Sequence, residues 1–104
     1  MANPPGFSVV LSPPRAAGEV TVVDIEGTAV SLANVAGTLY AFDDTCSHRA
    51  CPLSEGNLDE WTITCPCHRS RFDIRTGHIL GGPATLPIRV RQVVTDGNRV
   101  LVER

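Results

Sequence analysis

Two short boxes hold the residues whose types and spacing could do chemistry: Cys46-x-His48 and, sixteen residues further on, Cys65-x-x-His68. Each box offers one thiolate and one imidazole. A site of two sulfurs and two nitrogens suits zinc or iron–sulfur, because thiolate is soft and imidazole borderline. Zinc fingers and ribbons usually pair like with like, as C-x2-4-C or H-x3-5-H. Here a His follows a Cys in both boxes, the layout in which His replaces Cys on one iron of a [2Fe–2S] centre. The spacing favours one such cluster, with zinc as the alternative. A third histidine, His78, lies outside both boxes and reads as a surface or strand residue.

The elements that must position these residues are strands. Phe7 to Leu11, Glu19 to Ile25, Thr28 to Asn34, Thr38 to Phe42, Trp61 to Thr64, Arg71 to Ile74, Ile88 to Thr95 and Arg99 to Val102 are short apolar or alternating runs bounded by turn residues. Val35-Ala36-Gly37 and Asp96-Gly97-Asn98 predict hairpins. No convincing helix is expected. Every Cys and His falls between residues 44 and 86, together with Gly56, Gly81, Gly82 and Pro83, while the flanks are β-rich. The expected fold is therefore all-β: an antiparallel sandwich or small barrel (about 1–43 and 87–104) carrying an inserted metal-binding subdomain of loops and short strands (about 44–86), in one domain.

Composition excludes several function classes. The chain has 104 residues, 42% hydrophobic, with a formal net charge of −2, which describes an ordinary soluble domain. All nine cationic residues are Arg, but they form no basic run, so nucleic acid is not an expected partner. The longest apolar runs are about five residues against the roughly 20 of a membrane span. MANPPGFSVV has neither the charged nor the apolar region of a signal peptide, so a cytoplasmic protein is expected. Four cysteines in such a chain point to metal or redox chemistry more than to a disulfide framework. Asp43-Asp44 and Asp59-Glu60 read as solvated turn caps. There is no phosphate loop and no nucleotide fingerprint.

The segments CSHRAC (46–51), CPCHRSRFD (65–73) and TGHILGGPAT (76–85) resemble the Rieske iron–sulfur domain. The resemblance covers at least residues 40–88. It implies that Cys46 and Cys65 bind one iron and His48 and His68 the other, with the histidines at an exposed tip. It implies that Gly81-Gly82-Pro83-Ala84 forms a third loop over the cluster, Gly82 and Pro83 among the residues around it. In one branch of the family a Ser at the place of Ser70 donates to a bridging sulfide, and a Tyr stands where this chain has Phe72. The same branch links the two ligand loops by a disulfide at the positions of Cys51 and Cys67, and that bond is expected here. Arg49 and Arg69 replace residues that are often Gly, which bears on the backbone if the second site needs a positive φ. Beside the histidines, they could also guide an acidic partner.

The implied function is a soluble, monomeric one-electron carrier rather than an enzyme. With two thiolates, two sulfides and neutral imidazoles, an oxidised diferric core is neutral and one electron makes it −1. An all-thiolate core goes from −2 to −3, so the mixed ligand set raises the potential. The expected partners are a ferredoxin reductase and a terminal, ring-hydroxylating oxygenase. The alternatives are a small Rieske-like subunit of a nitrite reductase, a domain of a respiratory complex and a zinc-stabilised binding module.

Overall fold

Two-residue turns set the β registers. Ile25 pairs with Thr28 and Val35 with Thr38 across turns whose central residues, Glu26-Gly27 and Ala36-Gly37, all have positive φ. That is the turn whose twist matches a two-residue hairpin. Asp96 likewise pairs with Arg99. The computed structural model describes residues 5–47 and 51–104. It contains β1 (Phe7–Val10), β2 (Val20–Ile25), β3 (Thr28–Val35), β4 (Thr38–Asp43), a 3-10 turn (Leu53–Glu55), β5 (Asn57–Asp59), β6 (Thr62–Thr64), β7 (Arg71–Asp73), β8 (Ile79–Gly81), β9 (Val90–Arg91), β10 (Val93–Asp96) and β11 (Arg99–Glu103). The paired strands are all antiparallel, in the orders β1-β11-β10, β2-β3-β4-β9 and β5-β6-β7-β8.

The all-β expectation holds, with three differences of detail. β5 and β8 had no sequence signal; both are three-residue strands completing the sheet that carries the second box. The expected strand from Ile88 to Thr95 is divided at Gln92, whose amide bonds the Glu103 carboxylate while its carbonyl receives the Glu103 amide. The acidic pair Asp43-Asp44 is not a solvated cap. Asp43 pairs with the buried Arg91 at 2.6 Å, and Asp44 is itself buried.

The middle sheet is covered on both faces, and β3 shows why its last six residues are all buried. Side chains alternate across a strand. Val30 and Leu32 join Ala41, Val10, Val100 and Val102 in one core. Ala33 and Val35 face the other core, with Phe42, Leu53, Ile63, Phe72, Ile74, Cys46 and Cys65. Ser31 and Asn34 are the buried polar residues on β3, and the Ser31 hydroxyl donates to Asp44 Oδ1 at 2.7 Å. The same oxygen accepts the Ser54 amide at 2.7 Å. Asp44 thus fastens the chain leading into the first box to both the base and the 3-10 turn.

Removing the carboxylate in Asp44→Ala leaves the Ser31 hydroxyl and the Ser54 amide without their acceptor. Unfolding in urea should show a loss of about 2–3 kcal/mol, set by the cost of unsatisfied buried donors; a loss under about 0.5 kcal/mol would mean that water takes over the role.

Candidate metal centre

Both boxes sit on chain reversals fixed by backbone hydrogen bonds. In the first, Thr45 bridges Pro52, the Cys46 amide donates to the Cys51 carbonyl at 2.9 Å, and the Leu53 amide to the Asp44 carbonyl at 2.6 Å. In the second, the Cys65 amide donates to the Ser70 carbonyl at 2.8 Å and the Arg69 amide returns to the Cys65 carbonyl at 3.1 Å. Closing that turn puts Arg69 at φ +62°, the positive value that the Arg-for-Gly replacement raised as a question. An L residue there pays a steric cost that Gly would not.

Cys46 and Cys65 come from opposite sides of the site and are 3% and 1% exposed. They form no disulfide, and their side chains are in hydrogen-bonding contact. Burial pushes the Cys65 thiol above its ordinary value; the adjoining Cys46 adds to this, against amides of Cys67 and His68 that hydrogen-bond to the Cys65 sulfur. His68 lies in the exposed run from Pro66 to Arg69. His48 and Arg49 fall outside the described residues. His78 is exposed, just before β8.

Cys51 and Cys67 form the expected disulfide between the two loops, their Cα atoms 6.5 Å apart. The sulfurs of Cys51, Cys65 and Cys67 lie within 4.8 Å of one another. Phe72 pairs with Ile63 in the β6–β7 ladder and is fully buried beneath the cysteines. Ser70 is also fully buried; its oxygen accepts the Ala84 amide at 3.1 Å. Gly82, at φ +88°, crosses so close to the second loop that a Cβ would meet Ser70 Cα at 2.5 Å. Pro83 is exposed, Ala84 buried. The loop beginning at Gly82 is therefore seated on the second box. Its far end meets the first, where the Ser47 hydroxyl donates to the Leu86 carbonyl at 2.5 Å. Sequence reasoning missed Asp44, Ser47 and Arg71; only the position of Asp44, two residues before Cys46, carried any signal.

Sheets that converge two buried thiols under a covering loop define a small all-β metal-binding protein. Residues 9–93 match the family model of the Rieske [2Fe-2S] domain. The chain is 40% identical over 86 residues to the ferredoxin component of the naphthalene 1,2-dioxygenase system of Pseudomonas aeruginosa, covering 83% of each chain. The solved ferredoxin of carbazole 1,9a-dioxygenase from Nocardioides aromaticivorans IC177 is similar with a TM-score of 0.81 at 35% identity, covering 86% of this chain and 88% of that one. A chain in a complex of reduced oxygenase and oxidized ferredoxin in carbazole 1,9a-dioxygenase gives a TM-score of 0.87 at 31% identity, covering 94% of this chain and 93% of that one. The protein belongs to the Rieske [2Fe-2S] domain family.

The residues present fit that family's single cluster. Two desolvated thiols in contact are a poor arrangement once ionised, unless a cation lies between them. Amides aimed at the Cys65 sulfur favour its anionic form. The Ser70 hydroxyl is an acceptor for Ala84, and its own proton goes to no acceptor among the described residues, which leaves a buried donor for the site.

Arg69→Gly removes the positive-φ penalty and adds flexibility to the unfolded chain. The first effect is the larger, so a gain of about 0.5–1 kcal/mol is expected. Thermal unfolding of the two proteins checks it; a loss would mean that the Arg69 side chain is holding the turn.

Proposed function

We propose that Cys46, His48, Cys65 and His68 hold one [2Fe–2S] centre in the subdomain of about residues 44–86, and that the chain ferries single electrons from a flavin-dependent reductase to a ring-hydroxylating terminal oxygenase. The observation that carries this reading is the pair of buried, unbridged thiols of Cys46 and Cys65. Support also comes from similarity to ferredoxin components of dioxygenase systems. When bound, a cluster with two thiolates and two imidazoles takes up and gives up one electron at a relatively high potential.

The side chains around the site divide the remaining work. Cys46 and Cys65 anchor the inner side, and the Cys67 and His68 amides moderate the charge on Cys65. His48 and His68 form the outer side, and the exposed position of His68 brings it within reach of a partner protein. The Ser70 hydroxyl donates towards the site, where it favours the more negative, reduced state. Phe72 supplies apolar floor and, having no hydroxyl, gives one hydrogen bond fewer than a Tyr there. Gly82 and Pro83 keep the cover low over the second box. The Cys51–Cys67 bond staples the loops together. No helix is long and apolar enough to cross a membrane among the described residues; we place the protein in the cytoplasm as a monomer that meets its partners transiently, with His48, His68, Arg49 and Arg69 at the contact.

Protein purified without oxygen should contain iron and acid-labile sulfide in equal amounts and show paramagnetic resonance on reduction. Zinc in place of iron would reject the proposal. In Ser70→Ala the centre should be retained while its potential falls by on the order of 60 mV, a factor of about ten in the redox equilibrium. Film voltammetry measures this, and an unchanged potential would assign Ser70 to the Ala84 contact alone.

A further inference from the structure

We infer that the tip presents a cationic, leucine-flanked docking face built by Arg69 and Arg71, and that it selects an acidic protein surface as redox partner. The inference rests on the carrier reading above and adds to it the chemistry of the partner.

Several cations among the described residues are paired with carboxylates where they stand. Arg75, Arg91 and Arg104 pair with Asp73, Asp43 and Glu26. The Arg89 guanidinium donates to the Arg104 carbonyl, and Arg15 has Glu19 bonded to its own amide. Arg69 and Arg71 are exposed, flank Ser70, and make no side-chain hydrogen bond or ion pair among the described residues.

Arg71 lies across the neighbouring strand. It pairs with Gly81 across the β7–β8 ladder, and its guanidinium occupies the space that a Cβ at Gly81 would take. Leu80 beside it is 48% exposed, and Leu86, whose carbonyl is held by Ser47, is 62% exposed. Cations beside exposed leucines reproduce the anatomy of a protein interface, in which Arg and apolar side chains are enriched. Glu55 is the one carboxylate lining the groove along Cys65, Pro66 and Arg69.

Whole-molecule and local charge oppose each other here. The net charge of −2 repels an acidic protein at long range, whereas the tip attracts it at contact. This conflict makes the partner's sign measurable. The dithionite-reduced holoprotein is mixed in a stopped-flow apparatus with excess ferric cytochrome c, which is basic, or with its fully succinylated form. Both have the same haem, and lysine ammoniums become carboxylates in the second. One electron leaves the protein and one ferric haem becomes ferrous, with no proton exchanged.

The succinylated form should react about tenfold faster at low salt, with the advantage lost at high salt as screening sets in. The advantage should also disappear in Arg69→Asn/Arg71→Gln, in which Asn tolerates the positive φ at position 69. Faster or equal reaction of native cytochrome c with loaded protein overturns the docking inference alone. So does a succinylated advantage that survives the double substitution. A preparation without cluster absorbance overturns the carrier reading and the inference with it.

Discussion

Two cysteine sulfurs forced together away from water are the constraint on which the structure depends. Opposed thiols cost little while protonated. Their ionised forms repel strongly in a medium that screens poorly, and burial, with the adjoining Cys46, pushes the Cys65 thiol above its ordinary value. In the ligand set proposed above, a cofactor that took both protons away would have to supply the compensating positive charge. The hydrogen-bonded turns of the two boxes, the seating of Gly82 on Ser70 and the Cys51–Cys67 bond all act on the same quantity, the separation of those sulfurs.

The base of the molecule supplies rigidity through an arrangement unusual for an antiparallel sheet, since β3 is buried on both sides. One face closes on the terminal strands and the other on the floor of the site. A displacement at the base would therefore be felt beneath Cys46 and Cys65 directly, through Phe42, Phe72 and Ile63. Asp44 adds a polar tie where apolar packing ends. Its single oxygen fixes both β3 and the segment after the first box, so the two sides of that loop cannot move independently.

The two Cys/His boxes stood out because donor chemistry is local: donor types and spacing lie within a few residues of one another. Most hairpins were legible for the same reason, as with Gly37 and Gly97. The three-residue strands β5 and β8 were not, because a strand so short shows no alternation and exists by pairing with β6 and β7. Asp44 was misread for a related reason. A carboxylate in a turn looks solvated unless one knows that Ser31, thirteen residues earlier, will face it. The positive φ of Arg69 likewise follows from the closure of the turn and has no signature in an arginine. The Cys51–Cys67 link came from family resemblance, since nothing in the spacing of four cysteines selects a pair.

The polarity of the site follows its depth, and this has consequences for directional transfer. Cys46 and Cys65 are enclosed, whereas Pro66 to Arg69 stand in solvent. In the carrier proposed above, reduction would make the centre more negative, so solvent and the cations of Arg69 and Arg71 would both favour the reduced form of the free protein. Contact with a partner strips water from the tip, and an acidic partner also engages the guanidiniums. Both changes weaken the hold on the added electron. On that reading, the same contact that brings the acceptor near would lower the potential of the donor, so that docking itself would favour departure of the charge. A basic partner would oppose this second effect, even at equal affinity, and the sign of the partner's charge then decides how readily the electron leaves as well as how often the proteins meet.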